Sequence, residues 1–405
     1  MVYGNTKAQK APLRLAINPY ERIVLNDETA NQILTGRMSS GDWRCPKCTI
    51  INSGSLTVCK SCGETLPPTP EVPIEDVSDF LPFYMDVAHA RRPAKFRDKR
   101  VLFYRNRGIG DQLIASCLSR FFHVVLKARC YQLADQNHQL LWYNNPFIYG
   151  QPVRFPLSID SLIRRDGRGY DWFMPIESVS EYDSDQEQGN VYDRIFALAG
   201  FDPSQIPEEY KRPYWAPMQR DLDETAQFYS VPYIAFQVRA TNISRTLPPH
   251  VVDLVLSRLI GIGLPILCMD ELPLEPTVKK IVESYKAARD ISGQLKTSRQ
   301  YGAVVSMAKL VVGPDSSAIH FAACIDVPCI SLFGPFDPDS RVKYYKNHVA
   351  IWGGRDHCAA APCYNFAEDL PRHKCPSPKQ EFCEVFNGIT GDKIDAAIYK
   401  LGITK

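Results

Sequence analysis

The feature that most constrains this chain is an alternation of short apolar runs with amphipathic segments, and it occurs twice. In the first series residues 101–104 form a strand-type run. Residues 111–125 follow with Leu113, Ile114, Cys117, Leu118, Phe121 and Phe122 at helical three-and-four spacing. Further strands are expected at 140–143 and 171–175, and a helix at 190–199 closed by Gly200. The second series has strands at 233–238, 265–269, 310–313 and 328–333, with helices at 249–262, 274–287, 297–307, 316–325 and 390–401. Such alternation specifies parallel sheets covered by helices. Two series, each opening on its own strand, specify two α/β domains, residues 100–229 and 230–405, the second ending in a helix.

The first 99 residues have another texture. Residues 1–41 read as an arm with one short helix near 27–34, residues 42–65 as a cysteine cluster, and residues 66–99 as a linker whose density of prolines bars helix and central strand. Cys45, Cys48, Cys59 and Cys62 form two CxxC pairs ten residues apart. Two such knuckles complete a closed tetrahedral set for structural Zn2+. With Trp43 and Asn52 the string WxCxxCxxxNxxxxxxCxxC resembles the Ran-binding-protein type zinc finger, which implies docking to a protein or nucleic-acid partner; Arg44, Lys47 and Lys60 would favour the latter. Net charge is +2, so no global basic field advertises nucleic acid. No apolar stretch reaches the ~18 residues of a membrane span, and the N-terminus lacks a signal-peptide apolar block, so a cytoplasmic location is expected. In that compartment clustered cysteines point to metal, whereas Cys117, Cys130, Cys268, Cys324 and Cys329, each single beside an apolar run, read as core residues.

Two turns carry candidate chemistry. Arg105-Asn106-Arg107-Gly108-Ile109-Gly110-Asp111 follows the first strand and opens a helix. Its glycines allow close backbone approach, and Asp111 is either a helix cap or a reacting carboxylate. In the second domain a buried strand ends at Gly313-Pro314-Asp315, and Ser316 and Ser317 start a helix with His320 one turn in. Hydroxyls and N–H groups at a helix start suit a diphosphate.

The segments VLFYRNRGIGDQLIASCLSRFF and LVVGPDSSAIHFAACIDVPCISLFGPFDP resemble the N- and C-terminal signatures of glycosyltransferase family 9, the ADP-heptose:lipopolysaccharide heptosyltransferases, over roughly residues 100–400. The resemblance implies the GT-B fold, two facing Rossmann-like domains, with acceptor bound by the first and nucleotide-diphosphate-sugar by the second. It implies that Asp111 is the general base and that Gly110, Asp315, Ser316, Ser317 and His320 contact the donor. In the segment 237–248 Arg245 stands where the family has a phosphate-binding lysine and Thr241 where it has a hydroxyl residue, with Arg239 nearby and Leu247 in place of a tryptophan. Asp270 or Glu271 would accept from the ribose. The terminal helix would pack back across the first domain.

The expected reaction is metal-independent sugar transfer to a saccharide or lipid-linked saccharide. The alternatives are glycosylation of a modified nucleic-acid base, aided by the finger, and an inert binding protein that the finger recruits. Asp183-Ser184-Asp185 spells a metal-binding DxD but reads as a solvated acidic loop. Cys358, Cys363, Cys375 and Cys383, with His357 and His373, form a looser cluster that leaves a second zinc and free thiols both open.

Overall fold

The computed structural model describes residues 96–105, 108–134, 139–150, 170–176, 189–229, 232–363 and 382–403, together with the backbone of four two-residue strands. The chain divides into two compact units. One is Met1–Asn106 with Ser119–Ser178, the other Arg107–Leu118 with Val179–Lys405. The helix Ile109–Val124 therefore begins in the second unit and ends in the first.

Strands β1 (Arg14–Leu15), β4 (Arg100–Tyr104), β5 (Arg129–Ala134), β6 (Val153–Arg154) and β7 (Trp172–Pro175) form the sheet of the first unit, in the order β1-β7-β4-β5-β6 with every pair parallel. β2 (Trp43–Arg44) and β3 (Ile51–Asn52) pair antiparallel. The cysteines of the expected finger lie outside the described residues, as does the Asp183-Ser184-Asp185 loop. Val101, Leu102 and Phe103 are fully buried. Phe122 meets Phe96 and Phe103 edge to face at 4.9 and 5.3 Å, so aromatic packing fixes the helix to this sheet.

The second unit has a six-stranded parallel sheet of β8 (Ile234–Phe236), β9 (Ile266–Cys268), β10 (Ala288–Asp290), β11 (Leu310–Pro314), β12 (Cys329–Phe333) and β13 (His348–Trp352), in the order β10-β9-β8-β11-β12-β13. β8, β9, β11 and β12 are buried throughout, which is why they read as continuous apolar runs. The chain runs outward from β8 to β10, then returns to β11 on the other side of β8. That reversal makes the carboxyl ends of β8 and β11 the place where an open α/β sheet binds ligands. Gly302 lets helix Ser298–Met307 approach helix Ser317–Cys324: a methyl there would lie 2.6 Å from both Phe321 and Trp215.

Several expectations are corrected. Residues 140–143 are not a strand; Gln139–Trp142 is a short helix with Leu141 and Trp142 buried. The neighbouring strand is β5, hidden in the sequence because buried Gln132 interrupts its apolar run and donates to the Leu133 carbonyl at 3.1 Å. Cys117, Cys130, Cys268 and Cys329 are buried as expected, while Cys324 is only partly so. The terminal helix, Gly391–Lys400, packs within the second unit, with Ile394 and Ala397 against the core that contains Leu256, Leu259 and Ile351. The apolar stripe of this helix meets an apolar face there, which accounts for its seat.

Candidate active site

The loop after β8 is built to aim Arg245. The Asn242 side chain accepts from the Ser244 amide at 2.9 Å and starts a short 3-10 turn, Ile243–Arg245. Thr246 Oγ1 accepts from the Ala240 amide at 3.1 Å, and the Leu247 amide returns to the Val238 carbonyl at 3.0 Å with its side chain fully buried. Held at both ends, the loop directs Arg245 Nη1 to the Asp315 carbonyl at 3.1 Å and to its carboxylate at 3.4 Å, at the end of β11. Asp315 is 1% exposed. Its Oδ1 faces His320 Nε2 at 3.7 Å.

Helix Ser317–Cys324 starts at Ser316, as the sequence implies, but its end is already capped from β8. Gln237 Oε1 accepts from the Ser316 hydroxyl and from the Ala318 amide, the latter at 3.2 Å. Gln237 passes close enough that a methyl on Gly313 would sit 3.2 Å from its Cβ, a tight contact that glycine avoids.

Residues 107–118 belong to this same unit, which brings the glycine turn to His320. A methyl on Gly110 would lie 2.7 Å from His320 Cδ2 and 3.2 Å from Nε2, so only glycine lets the turn lie on the imidazole edge. Asp111 stands next to it, partly exposed, with Oδ1 3.7 Å from Arg341 Nη1. Arg341 and Arg245 hold their guanidiniums 5.0 and 5.8 Å from the Phe336 ring centre. Burial lowers the His320 pKa to about 4; Asp315 opposes this and Arg341 reinforces it, so the ring is neutral at pH 7.

Gly110, Asp111, Arg245, Asp315, Ser316, Ser317 and His320 thus gather around the ends of β8 and β11. The remaining candidates lie beside this cluster, on the loop after β8 and at the end of β9. Arg239 turns away, its Nη1 donating to the Pro273 carbonyl at 3.3 Å, and Thr241 is exposed. Asp270 is 1% exposed and accepts from the Arg239 amide at 3.0 Å, whereas Glu271 is open to solvent. Sequence reasoning missed Gln237, Arg341 and Tyr345. Arg341 follows the Asp337-Pro338 turn by three residues, and that turn was the one available signal. Cys358, Cys363 and Cys383 are partly buried thiols, while Cys375 and His373 lie outside the described residues; among the described residues no group of three metal-ligating side chains occurs. No helix among them is long and apolar enough to cross a membrane.

Comparison with known proteins bears on the fold and the family. The chain is 36% identical over 58 residues to lipopolysaccharide heptosyltransferase 3 of Escherichia coli, a match that spans 14% of this chain and only 17% of that relative's length. In structure it resembles the ADP-heptose lps heptosyltransferase II of E. coli (TM-score 0.55, 16% identity, 75% of this chain and 98% of the other). It also resembles a family 9 glycosyl transferase of Veillonella parvula (TM-score 0.56, 13% identity, 76% and 97%). These likenesses establish a shared fold. The model of glycosyltransferase family 9 (heptosyltransferase) matches residues 164–366, which takes in Arg245, Asp315, His320 and Arg341 though not Asp111. That match covers half of the sequence, and the chain belongs to glycosyltransferase family 9, a family of enzymes.

Proposed function

We propose that this protein transfers a heptose-class sugar from a nucleotide diphosphate donor to a hydroxyl of a saccharide or lipid-linked saccharide, with Asp111 as general base and no catalytic metal. The observation that carries the reading is the single cluster of Asp111, Arg341, His320, Asp315 and Arg245 at the reversal point of the sheet. The names of the similar enzymes support an ADP-linked heptose as the donor. In the reaction the acceptor oxygen bonds to the anomeric carbon as the bond from that carbon to the phosphate oxygen breaks. The hydroxyl proton passes to the Asp111 carboxylate, and the electron pair leaves with the diphosphate. Arg245 and Arg341 supply the positive charge that stabilises this leaving group in place of a metal. Glu271, open to solvent beyond β9, suits the ribose hydroxyls better than buried Asp270.

Asp111→Asn keeps the size of the side chain and removes its basicity. With ADP-heptose and a matching saccharide acceptor, turnover is expected to fall about 100-fold or more while donor affinity holds. Turnover near that of the unmodified protein would sink the assignment.

The N-terminal module is proposed to be a zinc finger that docks a protein or nucleic-acid partner. Four thiolates from two CxxC pairs, Cys45, Cys48, Cys59 and Cys62, are the donor set that zinc takes in closed structural sites. Metal analysis of the full chain should find zinc that is lost when these four cysteines become serine. Equal zinc in both proteins would refute the site.

A further inference from the structure

His320 is held from behind by two tyrosines that the mechanism above does not use. Its Nδ1 lies 2.6 Å from Tyr345 Oη, which in turn lies 2.6 Å from Tyr192 Oη. Tyr192 is fully buried, Tyr345 is 8% exposed and His320 is 2% exposed, so no solvent competes for these bonds. Their placement is built in. Asn190 caps helix Val191–Leu198 by accepting from the Tyr192 amide at 2.9 Å, and its own amide donates to the Asp339 carbonyl at 2.7 Å. That clamp brings Tyr192 to the segment that carries Tyr345.

The direction of the chain follows from counting protons. Among the described residues Tyr192 Oη has one hydrogen-bond partner, Tyr345 Oη. If the His320 Nδ1 bore a proton and gave it to Tyr345, then Tyr345 would donate to Tyr192, and the Tyr192 proton would be buried without an acceptor, which is costly. In the opposite sense both tyrosine protons have acceptors: Tyr192 donates to Tyr345, Tyr345 donates to His320 Nδ1, and the ring proton sits on Nε2. That nitrogen faces the Gly110 turn and, at 3.7 Å, Asp315 Oδ1, a buried oxygen with no hydrogen-bond partner among the described residues.

We infer that Tyr345, backed by Tyr192, is a positioning residue that locks His320 as the Nε2–H tautomer, so that His320 serves the site as a neutral hydrogen-bond donor and not as a base. Resting on the transfer reaction proposed above, this places the proton of the acceptor on Asp111 alone. It also gives the departing diphosphate an uncharged N–H donor beside the two arginines. The imidazole has no lone pair left to offer, since Nδ1 accepts from Tyr345 and Nε2 is protonated.

The test is nitrogen NMR of the full chain with 15N-labelled histidine, the His320 signals being identified as those lost in His320→Gln. At pH 7 His320 should show a protonated Nε2 and an unprotonated, hydrogen-bonded Nδ1. Tyr192→Phe should keep that pattern, because Tyr345 can still donate. Tyr345→Phe should lose the shift that marks a hydrogen-bonded Nδ1, and should lower turnover on ADP-heptose about tenfold with little change in KM. A protonated Nδ1 in the unmodified protein, or His320 signals unchanged in Tyr345→Phe, would overturn the inference. Because the tautomer is read without substrate, the lock stands or falls even if the chain transfers no heptose. Circular dichroism and melting curves check that each variant folds, and the tautomer of the unmodified protein gives the answer on direction if Tyr345→Phe does not fold.

Discussion

Asp315 and Asp270 are both 1% exposed and both follow strands of one parallel sheet, yet they are set for different tasks. Asp315, after β11, receives the Arg245 guanidinium on one oxygen and faces His320 with the other. Asp270, after β9, receives the Arg239 backbone amide on Oδ1, and its Oδ2 has no hydrogen-bond partner among the described residues. A buried carboxylate with a guanidinium partner is a fixed anion; one with amides alone is poorly compensated. What separates the two is the loop after β8, which sends the Arg245 guanidinium into contact with Asp315 and gives Asp270 backbone amides, with the Arg239 charge acting only at a distance. The strand-end position that both share assigns neither role.

Arg245→Ala breaks the contrast most severely. It strips the charged partner from a carboxylate that water cannot reach, and should cost about 3 kcal/mol of stability, the low end for a buried pair because Arg245 itself is 17% exposed. Denaturant unfolding reads that loss. Calorimetry with the nucleotide diphosphate should show affinity weaker by about 1.5–3 kcal/mol. Unchanged stability and affinity together would mean that the pair is incidental. Asp315→Asn is milder, about 1–3 kcal/mol, since the guanidinium left behind can turn toward water and still bonds the carbonyl of residue 315. A larger loss than for Arg245→Ala would invert the reading of which partner depends on the other.

How much of this was legible in the sequence follows the same line. Strands β8, β9 and β11 are apolar over their length, β12 is apolar except for Ser331, and helices with three-and-four spacing flank them, so the second unit could be read almost directly. The turn Gly313-Pro314-Asp315 and the GxGD turn announced Asp315 and Asp111 because glycine and a capping residue at a strand end leave a local signature. Tyr345 and Gln237 left none, and Arg341 only its place three residues after the Asp337-Pro338 turn. Their roles arise from where β12 and β8 end in space, and a single arginine or tyrosine in a polar segment looks the same whether it faces water or a carboxylate. β5 escaped for a related reason: one buried glutamine, satisfied by a backbone carbonyl, broke the pattern on which strand recognition rests. The choice between Asp270 and Glu271 was equally closed to sequence, since adjacent residues after a strand point in opposite directions and only the fold says which is buried.

The smallest effect is expected at Asp270, and it differs in kind because it depends on pH. Burial pushes the Asp270 pKa up from 3.8 to about 7, against the pull of the Arg239 and Val238 backbone and the Arg239 charge. In the unfolded chain the same carboxyl titrates near 3.9. Between about pH 4 and pH 7 the folded protein therefore holds a proton that the unfolded chain has released, and stability falls as pH rises through that window. Above it the folded state carries a buried anion with only amide partners. Asn cannot ionise, and its oxygen can still accept from the Arg239 amide. Asp270→Asn should thus be close to neutral at pH 5 and become relatively more stable by pH 8, by about 1 kcal/mol or more. Paired unfolding curves at pH 5, 6.5 and 8 for Asp270→Asn and the unmodified protein make the measurement. A pH-independent difference at Asp270 would mean that its carboxylate is better satisfied than one backbone amide allows, and the contrast between the two aspartates would have to be withdrawn.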